Sequence, residues 1–193
     1  MTLPIVLASS SPYRRILLER LGLPFTAHSP GVDETPLPGE PSRSLAERLA
    51  VCKAGALSED YGEHLIIGSD QVATLDKQVL GKPGDFDTAR EQLRRQSGQT
   101  LLFYTSVVVL DSANGQYRLA TDATKATFRQ LSDDEISRYL DREQPYDCAG
   151  SFKMEGLGIA LFTQIETLDP TALMGLPLIA LARLLRQFKV PVI

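Results

Sequence analysis

What most constrains this chain is an alternation. Short apolar runs suited to a buried strand hand over repeatedly, through small or turn-forming residues, to stretches with helical spacing. The first unit is IVLASSSPYRRILLERLG. Ile5 to Ala8 is the apolar run; beyond Pro12 the apolar Ile16, Leu17 and Leu21 recur at helical spacing, and Gly22 offers a C-cap. Leu23 to Ser29 reads as a second strand, and a Pro- and Gly-rich loop from Pro30 to Pro41 carries Asp33 and Glu34. A loop of that length in a compact chain points to function. Ser44 and Glu47 have capping-box spacing for a helix with Leu45, Leu49, Cys52 and Leu57 on one side. Leu65 to Ser69 then reads as another buried strand, whose C-terminal end delivers Asp70.

The second half repeats this grammar with more strand. Thr88 and Glu91 have box spacing for a helix through Arg95 that Ser97-Gly98 ends. Leu101 to Leu110 and Tyr117 to Phe128 flank an Ala113-Asn114-Gly115 turn as an antiparallel pair. Ser132 and Glu135 cap a helix stopped before Pro145, and the acidic run 133–135 suits the positive end of its dipole. A loop of small residues, with Phe152, Met154 and Leu157 packing inward and Gly156 and Gly158 in tight turns, leads to strand-like Ile159 to Leu168 and a closing helix Leu178 to Phe188. The fold class is therefore α/β, a mixed twisted sheet flanked by helices, without linkers or internal repeats.

Composition limits the partners. At 193 residues, 43% hydrophobic and 23% charged, the chain suits one domain over 1–193, with room for two lobes. Its net charge of −4 creates no field that draws in a nucleic acid polymer, so any phosphate site must be local. Two cysteines, Cys52 and Cys148, make no disulfide framework, and no stretch has the pattern of a signal peptide or a membrane span. A reducing cytoplasm is the expected location.

The junction ASSSPYRR raises the functional question. A strand ending in small hydroxyl residues and feeding a helix places backbone N–H groups and serine hydroxyls where an anion is stabilised, and Arg14 can add a planar fork of donors. Arginine in a first turn opposes the helix dipole, which an anion at that spot would relieve. Four further residues fit the same chemistry: Glu34 in the long loop, Lys53 on the following helix, Asp70 after a strand, and Lys82 in LGKP. Taken singly, Glu34 and Lys82 read equally as solvated loop charges, and Lys53 as a residue of a wet helix face. Asp70 has a structural competitor in turn capping, yet it stands at the carboxyl edge of a sheet, where α/β proteins place ligands. Two carboxylates and several cations suit a metal-bound polyphosphate. His28 and His64 stand apart in the sequence, as do the cysteines, which leaves zinc or a Cys–His nucleophile little support.

The ordered set of ASSSPYRRILL (8–18), the Asp33-Glu34 loop, RLAVCKA (48–54), IIGSDQVA (66–73), LGKP (80–83), AGSFKMEGLG (149–158) and GLPL (175–178) resembles the Maf nucleotide pyrophosphatases. That resemblance implies hydrolysis of nucleoside triphosphates to the monophosphate and pyrophosphate, in an inosine-triphosphatase-like fold with two lobes around a nucleotide cleft. By the same resemblance, Ser9, Ser11, Arg14, Lys53 and Lys82 bind phosphate. Glu34 and Asp70 hold a divalent metal cation (Mg²⁺, Mn²⁺ or Co²⁺), and Asp70 is the proton acceptor.

Three positions depart together from the commonest family pattern. Tyr13-Arg14 stands for Arg-Arg, Asp70-Gln71 for Asp-Thr, and Glu155 for Gln before the Gly-x-Gly turn. The set is similar to that of the subfamily acting on 7-methyl-GTP, whose methylated ring is cationic, and it makes Tyr13, Gln71 and Glu155 the base-specificity residues. An aromatic face and a carboxylate are sensible readers of a cationic base. Cys148 and Leu101 stand where the family often has Lys and His, and take no role. Two other readings stay open: the same chemistry on dTTP or UTP, and a nucleotide-sensing division regulator without turnover. Oligomeric state is open too, symmetric homodimers being common among small α/β enzymes.

Overall fold

The computed structural model describes residues 3–193. The chain divides into two compact units. The first comprises residues up to Gln71 together with 104–122 and 169–193; the second comprises 72–103 and 123–168.

The first unit opens with the parallel strands β1 (Ile5–Ala8), β2 (Phe25–His28) and the start of β3 (Leu65–Leu75). Helix α1 (Pro12–Glu19) connects β1 to β2, and α2 (Ser42–Gly55) connects β2 to β3. β1 pairs with both neighbours, Ile5 opposite Phe25 on one side and Leu65 on the other. The chain thus leaves β1 for one side and returns to the other, which makes the carboxyl end of β1 a topological switch point. Strand alternation divides the core into two faces. Ile5, Leu7, Leu65 and Ile67 pack with Leu17 and Leu18 of α1 and with the closing helix α5 (Leu178–Gln187). Val6, Ala8 and Ile66 pack with Ala50 and Ala54 of α2.

β3 extends well past the expected Ser69, so Asp70 lies within the strand and not after its end. Its pairing with β1 nevertheless stops at Ile67, because β1 is short. Asp70 therefore sits where β3 has outrun its parallel partner. A short β4 (Gln78–Leu80), unanticipated from the sequence, folds back on the far end of β3.

The second unit holds β4, helix α3 (Phe86–Gln96), helix α4 (Asp133–Glu143), β7 (Phe162–Glu166) and the ends of β3, β5 (Thr100–Asp111) and β6 (Tyr117–Phe128). Among the described residues the seven strands run in the order β2-β1-β3-β5-β6-β7, with β4 attached to β3. The sheet is mixed, since β3 with β4 and β6 with β7 pair antiparallel. Edge-to-face contacts among Phe103, Phe128, Phe152 and Phe162 fill the core of this unit. β7 is shorter than the expected Ile159 to Leu168, because 157–161 winds into a 3-10 turn first. Among the described residues no helix is long and apolar enough to cross a membrane.

Two expected caps are replaced. α2 begins at Ser42 behind Pro41, so Ser44 lies inside the helix, and Glu47 instead accepts from Arg43 and from Thr121. α3 is capped by Asp85, whose carboxylate accepts from the Thr88 N–H at 2.8 Å. The Ser132–Glu135 capping box forms as read. Ile16 and Cys52, expected on buried helix faces, are exposed.

Gly68 determines how closely α2 approaches β3. A Cβ at this position would overlap the Ala50 carbonyl oxygen and come within 2.9 Å of the Ala54 nitrogen. Both obstacles are backbone, so relief requires α2 to move. Gly68→Ala should therefore lower stability by at least the roughly 1–3 kcal/mol typical of overpacking. Gly55→Ala meets nothing within 4 Å and should be neutral or stabilising. Urea denaturation of the two variants measures the contrast.

Candidate active site

The turn after β1 is built by its own serines. Ser9, buried, accepts the Ser11 N–H on its Oγ at 3.1 Å, and Ser11 as N-cap of α1 accepts the Arg14 N–H at 3.4 Å. Pro12 occupies the first helical position, where its missing N–H costs nothing. Arg14 is then the third residue of the helix, and its Nε donates to the carbonyl of Gly175 at 2.9 Å. Fixing Nε orients the guanidinium plane. Burial pulls the Arg14 pKa down, and the charges of Asp70 and Glu34 oppose that pull, so the group stays cationic beside them.

Lys53 is the central surprise. The buried positions of α2 are 45, 46, 49, 50, 53 and 54, a helical stripe with Lys53 on it and Cys52 outside. Its ammonium, only 5% exposed, donates to Asp70 Oδ1 at 2.6 Å and meets Glu34 Oε1 at 2.6 Å. Asp70 is equally buried, whereas the Glu34 side chain is half exposed. Burial pushes the Asp70 carboxyl above the usual aspartate range, against the attraction of Lys53 and Arg14.

Glu34 reaches this point because its loop is ordered from α2. Arg48 makes a two-pronged ion pair with Glu40 at 2.7 and 2.8 Å and also donates to the Thr35 carbonyl at 3.1 Å. Asp33, exposed, accepts the Thr35 N–H and hydroxyl, so it braces the loop. Arg48 and Glu40 escaped the sequence reading, since no period links residues eight apart across a loop. The burial of Lys53 was within reach: Ala46, Ala50 and Ala54 place the stripe through it.

Among the described residues no group of three or more His, Cys, Asp or Glu side chains could hold a metal ion. His28 and His64 are not isolated in space, as each ring packs on Tyr61. Two carboxylates converging on one ammonium nevertheless fit a hard divalent cation of the kind that takes one or two protein carboxylates and completes its shell with water and substrate phosphates. Glu34 and Asp70 are the residues that would hold it.

Lys82 and Glu155 belong to the second unit. Lys82 is exposed on the loop between β4 and α3. Glu155 is an exposed residue on a turn organised by Lys153. The Lys153 carbonyl accepts from the Gly156 and Gly158 N–H groups, its N–H donates to the Tyr139 hydroxyl at 2.9 Å, and its Nζ caps the Glu143 carbonyl at 2.9 Å. Partial burial of the Glu155 carboxyl raises its pKa; its own backbone hydrogen bond and Lys153 oppose this, and Asp147 and Glu143 add to it. In the first unit, Tyr13 is half-buried as the second residue of α1. Gln71 directs its amide nitrogen to protein acceptors, namely Thr105 Oγ1 and the Ala172 and Leu173 carbonyls.

The Lys53–Asp70 pair makes stability pH-dependent. Asp70 is held above its unfolded pKa, so its contribution to folding is most favourable below the unfolded value and is lost as pH rises through the folded value. Lys53→Met removes the attraction that limits this shift. Its stability deficit relative to wild type, in metal-free buffer, should widen as pH rises above the ordinary aspartate range, toward the about 3–5 kcal/mol cost of orphaning a buried charge. A deficit constant with pH in denaturation curves would refute this account.

Comparison with known proteins places the chain. The family described as Maf-like protein matches residues 4–188. A 7-methyl-GTP pyrophosphatase from Polaromonas sp. is 56% identical over 185 residues, 95% of this chain and 84% of that protein. Proteins of the same name from Chromohalobacter salexigens and Cupriavidus pinatubonensis are 52% and 54% identical, covering 95% and 97% of this chain and 95% and 94% of their own lengths. A solved nucleoside-triphosphatase / dITP/XTP pyrophosphatase from Mycobacterium abscessus aligns over 82% of this chain and 97% of its own, with a TM-score of 0.44 and 16% identity. With nearly its whole length matched, the chain that sets a buried Lys-Asp pair beside a serine-lined helix start belongs to the Maf-like family.

Proposed function

We propose that this protein hydrolyses 7-methyl-GTP to 7-methyl-GMP and pyrophosphate with the help of a divalent metal. The observation that carries the chemistry is the buried Asp70, raised in pKa and held at 2.6 Å by Lys53 beside Arg14 and Glu34. The relatives named 7-methyl-GTP pyrophosphatase support the substrate.

In this reading a water attacks the α-phosphorus in line, the bond to the bridging oxygen breaks, and pyrophosphate leaves. Asp70 takes the proton of that water. A carboxyl moved above its ordinary range is a stronger base once ionised. The metal, when bound by Glu34 and Asp70, supplies positive charge to the phosphates. Lys53 holds both carboxylates in place, and Arg14 with the Ser9–Ser11 turn grips phosphate oxygens. Lys82 and Glu155 enter through their positions in the family motifs. Glu155 accepts from the purine N–H groups and balances the ring's positive charge, and Tyr13 offers its face to the cation.

Product analysis tests the bond broken. Pyrophosphate and 7-methyl-GMP should appear in equal amounts, chelation should stop turnover, and orthophosphate as a primary product would refute the assignment. Asp70→Asn should fold and lose at least roughly a hundredfold in rate. For the wild type, kcat/KM should fall on acidification through a pKa above the ordinary aspartate range, because only ionised Asp70 can accept the proton.

Glu155→Gln keeps size and removes charge. It should erode the preference for 7-methyl-GTP over GTP by on the order of tenfold to a hundredfold, read as a ratio of kcat/KM values. An unchanged ratio would place base recognition elsewhere.

A further inference from the structure

Lys82 stands exposed on the loop 81–85 between β4 and α3. A lysine is a point charge on a flexible stem, so such a residue meets a ligand reproducibly only when the backbone beneath it is held. Here the backbone is held on either side of it. The Gly84 N–H donates to the Tyr146 carbonyl at 3.0 Å. The Gly81 carbonyl accepts from Gln92 Nε2 at 3.3 Å and from the Gly150 N–H at 3.5 Å.

Gln92, half-buried on α3, is engaged at both ends of its amide. While Nε2 donates to Gly81, Oε1 accepts the Ser151 hydroxyl at 2.6 Å. A carbonyl can only accept, so the NH₂ must face Gly81 and the amide oxygen must face Ser151. Ser151 is fully buried and adopts φ +62°, directly after Gly150 at φ +78°. Serine seldom enters the left-handed region, and the surrounding bonds must hold it there. One runs from the Ser151 N–H to the Cys148 carbonyl at 3.1 Å, and the hydroxyl bond to Gln92 is the other.

The chain beyond Ser151 has anchors of its own. Phe152 is buried among Phe103, Phe128 and Phe162, and the Lys153 N–H donates to the Tyr139 hydroxyl. Rigidity therefore resides in 150–153, and Gln92 passes it across to the exposed loop. We propose that Gln92 is a positioning residue that pins the Lys82 loop to the 150–151 turn and so holds Lys82 for phosphate binding. The proposal rests on the pyrophosphatase reading, which gives Lys82 its phosphate, and leaves base recognition as assigned.

A double-mutant cycle on Gln92→Met and Lys82→Ala tests it. Methionine keeps the length of the side chain and removes both hydrogen bonds. Gln92→Met should lower kcat/KM about tenfold, the scale of a lost hydrogen bond or two, and by the same factor for 7-methyl-GTP and for GTP, because the base-reading turn keeps its own anchors. In the Lys82→Ala background it should cost little more, since the group it positions is gone. Inorganic pyrophosphate, titrated with Mg²⁺ by calorimetry, should bind more weakly to Gln92→Met and to Lys82→Ala, with no further weakening in the double variant. An unchanged kcat/KM, a changed substrate ratio, losses that multiply in the double variant, or a wild type that binds no pyrophosphate would overturn the proposal. Ser151→Ala releases the other end of the amide and should repeat the pattern; it carries the test if Gln92→Met does not fold. Wild-type protein that hydrolyses no nucleotide would defeat the functional reading, and the pyrophosphate titrations would still decide the pin.

Discussion

The site depends on one buried ion pair, Lys53 to Asp70, and on the absent side chain that permits it. Two charges removed from water are costly, and their attraction repays the cost only when geometry is tight and remaining donors find partners. At Nζ to Oδ1 2.6 Å, with Glu34 on the same ammonium at 2.6 Å, that condition is met. It is met because Gly68 lets the α2 backbone lie against β3, which brings position 53 over position 70. The rest of the assembly hangs on the same helix. Arg48, five residues before Lys53, ties down the loop that delivers Glu34. α2 thus supplies the cation and orders the loop that brings it a second anion.

β3 does different work on its two faces. Asp70 faces α2, while Ser69 and Gln71 reach the segment that precedes α5. That segment is further secured by the buried Asp169. One of its oxygens accepts the Ile179 and Ala180 N–H groups at the start of α5, and the other accepts the N–H and hydroxyl of Thr171. A carboxylate at a helix N-terminus satisfies orphan donors and the dipole together. The carbonyl of Gly175 is thereby fixed from both ends, and Arg14 inherits its orientation. A one-residue slip of β3 would exchange the two faces at once.

Legibility in the sequence followed the range of the interactions. The β1–α1 turn was readable because Ser11, Pro12 and Arg14 are neighbours and obey local rules. The Ser132–Glu135 box was readable for the same reason. Ser44–Glu47 has the same spacing and failed, because Pro41 starts α2 earlier and Thr121, seventy-four residues away, competes for the glutamate. β3 was read too short since Ser69, Asp70 and Gln71 look like a strand end, whereas in the fold each finds a distant partner. Lys53 sat between two stripe assignments, and choosing Cys52 over it ignored Ala46, Ala50 and Ala54. Gln71 carries a base-specificity role by resemblance; the hydrogen bonds of its amide nitrogen run to residues 34, 101 and 102 positions away, partners that no local pattern announces.

The turn proposed to read the base has its own scaffold. Gly158 is a glycine of necessity, since a Cβ there would overlap the Lys153 backbone carbonyl, whereas a Cβ at 156 would meet the movable end of the Glu143 side chain. Lys153 spends its ammonium on the C-terminal end of α4, where orphan carbonyls and the dipole favour a cation. It therefore serves the turn as a structural cap, although it also steadies the Glu155 charge at a distance. Asp147 and Glu143 act in the opposite sense and push the Glu155 carboxyl toward its neutral form. A cationic ring brought to Glu155 would offset that repulsion, and a neutral guanine would not. On the proposed reading, the acidic surroundings of Glu155 would thus give it a larger stake in the methylated base than the carboxylate alone would have, and the turn, not only one residue on it, would discriminate.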